Sequence, residues 1–183
     1  MNNSVDISAC KRGERNAQQK LFNHFAPYVF TICRRYTSNN ENAKEAMQDC
    51  FLRVFNKLDS YDVNRGELKP WIAKLSVNVC LNKLRSGKNV IPIHFQELKD
   101  KYSNEIFEQE PEKNNKQELL LNSIQKLPTG YRNVLNLYVF EHKKHTEIAS
   151  LLNISEGTSR SQLARAKTLL KKIIEKRKKL NYV

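Results

Sequence analysis

TEIASLLNISEGTSRSQLARAKTLL, Thr146 to Leu170, is the stretch whose reading decides the fold of this chain. Ile148, Ala149 and Leu152 recur at the spacing of one helix face, so they predict a first short helix with an apolar side. Asn153 and Ile154 then predict a turn, and Ser155 is a residue type that caps a following helix. The inner face of that second helix is Leu163, Ala166 and Leu170. Its first turns place Thr158, Ser159, Arg160, Gln162 and Arg165 outward. This is the anatomy of a helix-turn-helix, in which the second helix presents side chains to base edges in the major groove of duplex DNA. A helical hairpin with a solvated basic face has the same periodicity, so the rest of the chain must decide between them.

Working outward, the charge is distributed unevenly. The 183 residues carry a formal net charge of +13, with 39% hydrophobic and 28% charged residues, a composition typical of globular proteins. Residues 1–86 hold 14 Lys+Arg against 8 Asp+Glu, residues 87–118 hold 5 against 7, and residues 119–183 hold 13 against 4. Two basic units thus flank an acidic connector, a pattern that predicts two separate polyanion contacts joined by a tether with little affinity for DNA. The run KKIIEKRKK, Lys171 to Lys179, adds nonspecific phosphate attraction or is simply a solvated helix end.

Several function classes are disfavoured. No apolar run approaches the roughly 18 residues a membrane-spanning helix needs, and MNNSVDISACKRGER lacks the apolar core of a secretory signal, so a cytoplasmic location is expected. Cys10, Cys33, Cys50 and Cys80 are widely spaced singletons, expected as buried thiols rather than disulfides or a zinc cage. His142 and His145 can share a helix face but have no Cys or further His nearby, and His24 and His94 stand alone, so neither a metal nor a cofactor is indicated. The chain has no phosphate-cradling glycine motif and no nucleophile–base pair, which argues against an enzyme.

The coarse pattern is helical throughout and predicts an all-α protein: two small helical domains joined by a flexible linker, the C-terminal one containing the helix-turn-helix. Leu21, Phe25, Tyr28, Val29, Ile32 and Cys33 mark one amphipathic helix, and Ala43, Met47, Cys50, Phe51, Val54, Phe55 and Leu58 mark the next. After a turn-rich stretch, Asp59 to Lys69, Pro70 fits the first turn of a third helix to about Arg85, with Ile72, Leu75, Val79 and either Leu81 or Leu84 inward. Residues 87–118 read as a linker with at most a short helix from Phe95 to Tyr102. Leu119 to Leu127 and Tyr131 to Phe140 predict the helices that precede the helix-turn-helix.

Two blocks, in this order and separated by residues 86–126, carry a resemblance. MQDCFLRVFNKL, Met47 to Leu58, is followed by PWIAKLSVNVCLNKLR, Pro70 to Arg85. LPTGYRNVLNLYVFEHKKHTEIASLLNISEGTSRSQLARAKTLL, Leu127 to Leu170, makes the second. Together they resemble the bacterial RNA polymerase sigma factors of the extracytoplasmic-function group, in the sigma-seventy family. The resemblance implies a region 2-like domain at 1–86, a linker at 87–118 and a region 4-like domain at 119–183. It implies a promoter-specific initiation factor without catalytic activity of its own. A one-piece helix-turn-helix regulator is the alternative, although the first 86 residues are too short and too basic for a typical ligand-binding or dimerisation domain.

The resemblance also implies a division of labour. Glu45, Gln48, Asp49, Leu52, Arg53 and Asn56 match the surface that docks on the clamp coiled coil of the polymerase's largest subunit, and mixed charge with one Leu suits a helix-on-helix contact. The third helix and the preceding loop match the reader of the melted minus-10 strand. There Tyr61, Trp71, Asn78 and Asn82 offer stacking and amide groups, and Arg65, Lys69, Lys74, Lys83 and Arg85 offer phosphate contacts. Trp71, the only tryptophan, is read first as a core anchor that shapes the pocket without touching a base.

The helix-turn-helix matches the reader of the minus-35 duplex. Arg160 and Arg165 are expected on guanine edges or phosphates, Thr158 and Ser161 in phosphate or close-approach roles, and Lys143, Lys144 and Arg132 on phosphates. Ser159 stands where the family commonly has an aliphatic residue, and Gln162 where arginine is frequent; Gln162 can read adenine. The linker, with Glu105, Glu108, Glu110 and Glu112, is implied to thread toward the catalytic cleft, or to act as an inert tether. Implied partners are core RNA polymerase, including its flap region, promoter DNA and, as often in the family, an anti-sigma factor, with no small-molecule substrate.

Overall fold

The computed structural model describes residues 5–86 and 115–180, and every regular element among them is helical. The helices are α1 (Ile7–Lys11), α2 (Arg15–Tyr36), α3 (Asn40–Lys57), α4 (Leu68–Ser86), α5 (Asn115–Gln125), α6 (Thr129–Val139), α7 (His145–Leu152) and α8 (Glu156–Leu180). The chain divides into two compact units, residues 1–33 with 40–111 and residues 34–39 with 112–183. The expected short helix at Phe95 to Tyr102 and the glutamates from Glu105 to Glu112 lie outside the described residues.

The core of the first unit follows the periodicity of α2 and α3. Leu21, Val29, Ile32 and Cys33 of α2 and Ala43, Cys50, Phe51 and Val54 of α3 are sealed from solvent. Fully burying a side chain of this size contributes about 1.5–3 kcal/mol. Phe22 and Phe51 meet with ring centroids 4.5 Å apart, a tilted pair that ties α2 to α3. Pro27 lies inside α2, where it withdraws one backbone donor.

The inward face of α4 differs from the expected one. Ile72, Ser76, Val77, Cys80 and Leu81 are buried, whereas Leu75 and Val79 are only half-buried. Ser76 disguised this face: it interrupts the apolar pattern, yet its hydroxyl donates to the Ile72 carbonyl at 2.9 Å and so enters the core satisfied. Between α3 and α4 the chain makes two 3-10 turns, Leu58–Ser60 and Val63–Arg65. Asp62 caps the second by accepting from the Asn64 N–H at 2.9 Å. The turn closes at Gly66, whose φ of 142° lies where L side chains are strained.

In the second unit Leu121, Ile124, Leu127, Val134, Leu135, Leu137, Ile148, Leu163 and Ala166 form the core. Helix α5 starts at Asn115, four residues before the apolar repeat that marked it, because its first turn is polar. The turn between α7 and α8 is built as its residues require. Asn153 takes the left-handed conformation (φ 53°), the Ile154 N–H donates back to the Ala149 carbonyl at 3.0 Å, and the Ser155 hydroxyl accepts from the Thr158 N–H at 3.0 Å. His142 is not on a helix with His145 as expected; it precedes α7, exposed, in a left-handed conformation of its own (φ 51°). No helix among the described residues is long and apolar enough to cross a membrane.

Candidate nucleic-acid and polymerase interfaces

Helix α8 begins where the capped turn releases it, and its early residues divide by face. Arg160, Ser161 and Arg165 are exposed. Arg160 pairs with Glu156 one turn back, and the Ser161 hydroxyl donates to the Thr158 carbonyl at 3.0 Å. Thr158 is half-buried, its hydroxyl 2.8 Å from that of Ser155, so it completes the cap.

Three expected DNA-facing residues lie elsewhere. Ser159 does not project outward: it is 0% exposed, and its hydroxyl sits 2.8 Å from Nδ1 of His145, bridging α8 to the start of α7. A residue next to two outward-facing neighbours can point inward because a helix turns through about 100° per residue. Gln162 is half-buried and its side chain packs toward Gly130; a Cβ built on that glycine would lie 3.2 Å from the Gln162 amide oxygen. Arg132 is 3% exposed, and its guanidinium donates to the Gln125 carbonyl at 3.0 Å and the Thr129 hydroxyl at 3.3 Å. Burial pushes its pKa down, and its role is to pin α6 to the end of α5 rather than to face a phosphate.

Upstream of α7, the Lys143 ammonium lies 2.8 Å from Glu147 and the Lys144 side chain is exposed. Glu147 also accepts from the Lys144 N–H at 2.9 Å. The Lys143 bond first, then this backbone bond, holds its carboxyl below the usual range. Sequence reasoning missed Thr168 and Lys172, which with Tyr131, Ala164, Arg165 and Leu169 line a shallow hollow beside the reading helix. Lys172 reads in the sequence as part of a charge run; its seven-residue spacing from Arg165 is the signal that places both on one face.

In the first unit the exposed stripe of α4 carries Lys74, Asn78 and Asn82 at four-residue steps, with Trp71 half-buried at its start. Tyr61 is not a surface platform. It is 7% exposed, its hydroxyl donates to the Gly66 carbonyl at 2.9 Å, and its ring packs 5.3 Å from that of Trp71. The pair therefore holds the loop against the head of α4. Arg65 is exposed, 3.5 Å from Asp62, and the Lys69 ammonium lies 4.8 Å above the Tyr28 ring. Arg85 lies in the last turn of α4.

On α3, Glu45, Gln48, Asp49, Leu52, Arg53 and Asn56 form one exposed or half-buried stripe opposite the buried Ala43, Ala46, Met47, Cys50 and Val54. Lys83 joins this stripe to α4: its ammonium is 2.9 Å from Asp49 and 3.6 Å from Glu45. Expected to meet phosphate, it pairs instead with carboxylates of the expected polymerase face.

The Sigma-70 region 2 family matches residues 21–90, and the Sigma-70, region 4 family matches residues 117–170. ECF RNA polymerase sigma factor SigW of Bacillus subtilis is 26% identical over 178 residues, covering 91% of this chain and 93% of the relative. ECF RNA polymerase sigma factor SigM of the same organism is 26% identical over 153 residues, covering 83% and 91%. Among solved structures, the sigma factor RpoE in complex with the anti-sigma factor NepR, from Bartonella quintana, is similar at 16% identity and a TM-score of 0.45, over 86% of this chain and 96% of that one. A region 2 unit followed by a region 4 helix-turn-helix, both helical among the described residues, defines a transcription initiation factor. The chain belongs to the sigma-70 family, in its extracytoplasmic-function group, and is an RNA polymerase sigma factor. The one-piece regulator is not favoured.

Proposed function

We propose that this sigma factor, inert as a catalyst by itself, divides promoter recognition between its two units. The observation that carries the assignment is the exposed face of α8: Arg160, Ser161 and Arg165 follow directly on a capped turn, where a recognition helix meets base edges. They read the minus-35 duplex, with Lys144 and Lys172 on phosphates. The stripe Lys74, Asn78 and Asn82, with Arg65, Lys69 and Arg85 nearby in sequence, reads the melted minus-10 strand, and Trp71 with Tyr61 shapes its floor. Glu45, Gln48, Asp49, Leu52, Arg53 and Asn56 dock on the clamp coiled coil of core RNA polymerase, and the second unit engages the flap region.

The protein acts in the cytoplasm, at the nucleoid when in holoenzyme, and an anti-sigma factor restrains it. Size-exclusion chromatography of the chain with bacterial core polymerase tests the docking face. Co-elution that Leu52→Glu abolishes without changing the helical circular dichroism is expected. Co-elution unchanged by Leu52→Glu would remove the assignment of α3.

A further inference from the structure

The core of the first unit brings together three cysteines that the sequence keeps 17 and 30 residues apart. Cys33 comes from α2, Cys50 from α3 and Cys80 from α4, and their exposures are 0%, 0% and 3%. The Cys33 and Cys50 sulfurs are 3.8 Å apart, those of Cys80 and Cys33 4.0 Å, and all three lie within 4.8 Å of one another. None is in a disulfide.

A cation at the centre of three sulfurs, at a metal–sulfur distance of roughly 2.3 Å, spaces them about 4.0 Å apart when it lies in their plane. Two edges of the triangle already have this length. Among the described residues no histidine or carboxylate joins the cluster to complete a tetrahedral set. The donor set is therefore all-sulfur, three-coordinate and dry, which suits a soft ion that accepts trigonal geometry better than one that demands a fourth ligand.

We propose that Cys33, Cys50 and Cys80 form a binding site for a single Cu(I) ion in the core of the region 2 unit. The ion binds as thiolates form, each releasing its proton to solvent. Burial, the main cause, pushes the Cys33 and Cys50 thiols well above their usual range. Coordination must offset this cost, because the thiolate rather than the thiol is the ligand. Because each ligand comes from a different helix, an ion here cross-links α2, α3 and α4. It thereby stabilises the unit that carries the candidate polymerase and minus-10 faces. The site stands on the geometry of this unit alone and does not depend on the promoter-reading roles.

The test uses the full chain, reduced and refolded without oxygen in the presence of Cu(I), then challenged with a chromophoric Cu(I) chelator. One Cu(I) per chain withheld from the chelator is expected, with a higher unfolding midpoint, in both the parent and Cys10→Ala. Loss of that ion is expected in Cys33→Ala, Cys50→Ala and Cys80→Ala. X-ray absorption on the loaded parent, which needs no variant to fold, is expected to show three sulfurs at one distance. Complete surrender of copper by the parent, binding that survives all three substitutions, or a nitrogen or oxygen shell around the ion would each overturn the site. So would stoichiometric uptake of Zn(II) with none of Cu(I).

Discussion

The Ser159 hydroxyl lies 2.8 Å from Nδ1 of His145, a bond that joins the second helix of the helix-turn-helix to the first residue of the helix before it. His145 is itself stacked on Tyr138, centroids 4.9 Å apart, so α6, α7 and α8 meet through one aromatic–imidazole–hydroxyl chain. Ser159 thus anchors α8 to α7 from inside the domain, while its neighbours Arg160 and Ser161 are exposed. Removing the bond in Ser159→Ala is expected to cost about 0.5–1.5 kcal/mol of stability, measured by thermal unfolding. The pattern of phosphates protected in a footprint of the minus-35 region should stay unchanged.

Arg165 and Lys172 share a face of α8, and the proposed function gives them different tasks. Arg165→Ala is expected to lose about 1–3 kcal/mol of discrimination at a single minus-35 base pair, read as relaxed preference in holoenzyme competition among promoter variants. Arg160→Ala should lose less, since Glu156 already holds that guanidinium. Lys172→Ala should weaken all sequences alike and reduce the salt dependence of binding by about one charge.

The proposed function separates Asn78, a contact, from Tyr61, a support. Asn78 is exposed on the α4 stripe, so Asn78→Ala should reduce affinity for a single-stranded minus-10 oligonucleotide with little change in unfolding midpoint. Tyr61→Phe removes the hydroxyl that holds the Gly66 carbonyl. It should lower stability by about 0.5–1.5 kcal/mol, while the oligonucleotide affinity of the folded chain is retained.

Lys83 is expected to behave as part of the polymerase face. Its ammonium bridges Asp49 and Glu45 on α3, so Lys83→Gln should change affinity for core polymerase, measured by competition with the parent chain. The salt slope of single-strand binding should stay the same; a reduced slope would return Lys83 to the phosphate contacts.

Much of this was legible in the sequence because the helices announce themselves by spacing. Leu21 to Cys33 and Ala43 to Val54 have an apolar residue at nearly every inward position, and Asn153, Ile154 and Ser155 are chemically suited to the turn they make. Legibility failed where polarity and position disagree. Ser76 and Ser159 are polar residues that the interior accepts because each hydroxyl has a partner, Ile72 in one case and His145 in the other. Arg132 reads as a surface cation, yet its guanidinium is buried and donates to Thr37, Gln125 and Thr129. Lys83 has the look of a phosphate contact until α3 brings two carboxylates to it. Tyr61 reads as a stacking platform for a base, yet its ring packs on Trp71. The cysteine cluster was invisible for another reason: spacing along the chain carries no information about three helices converging on one point.

The most direct test of the central claim is run-off transcription from a genomic fragment library with bacterial core polymerase, with and without this protein. Discrete start sites that appear only in its presence, share upstream elements and are lost together in Arg165→Ala are the expected result. DNA binding without any redirection of the core enzyme would contradict it.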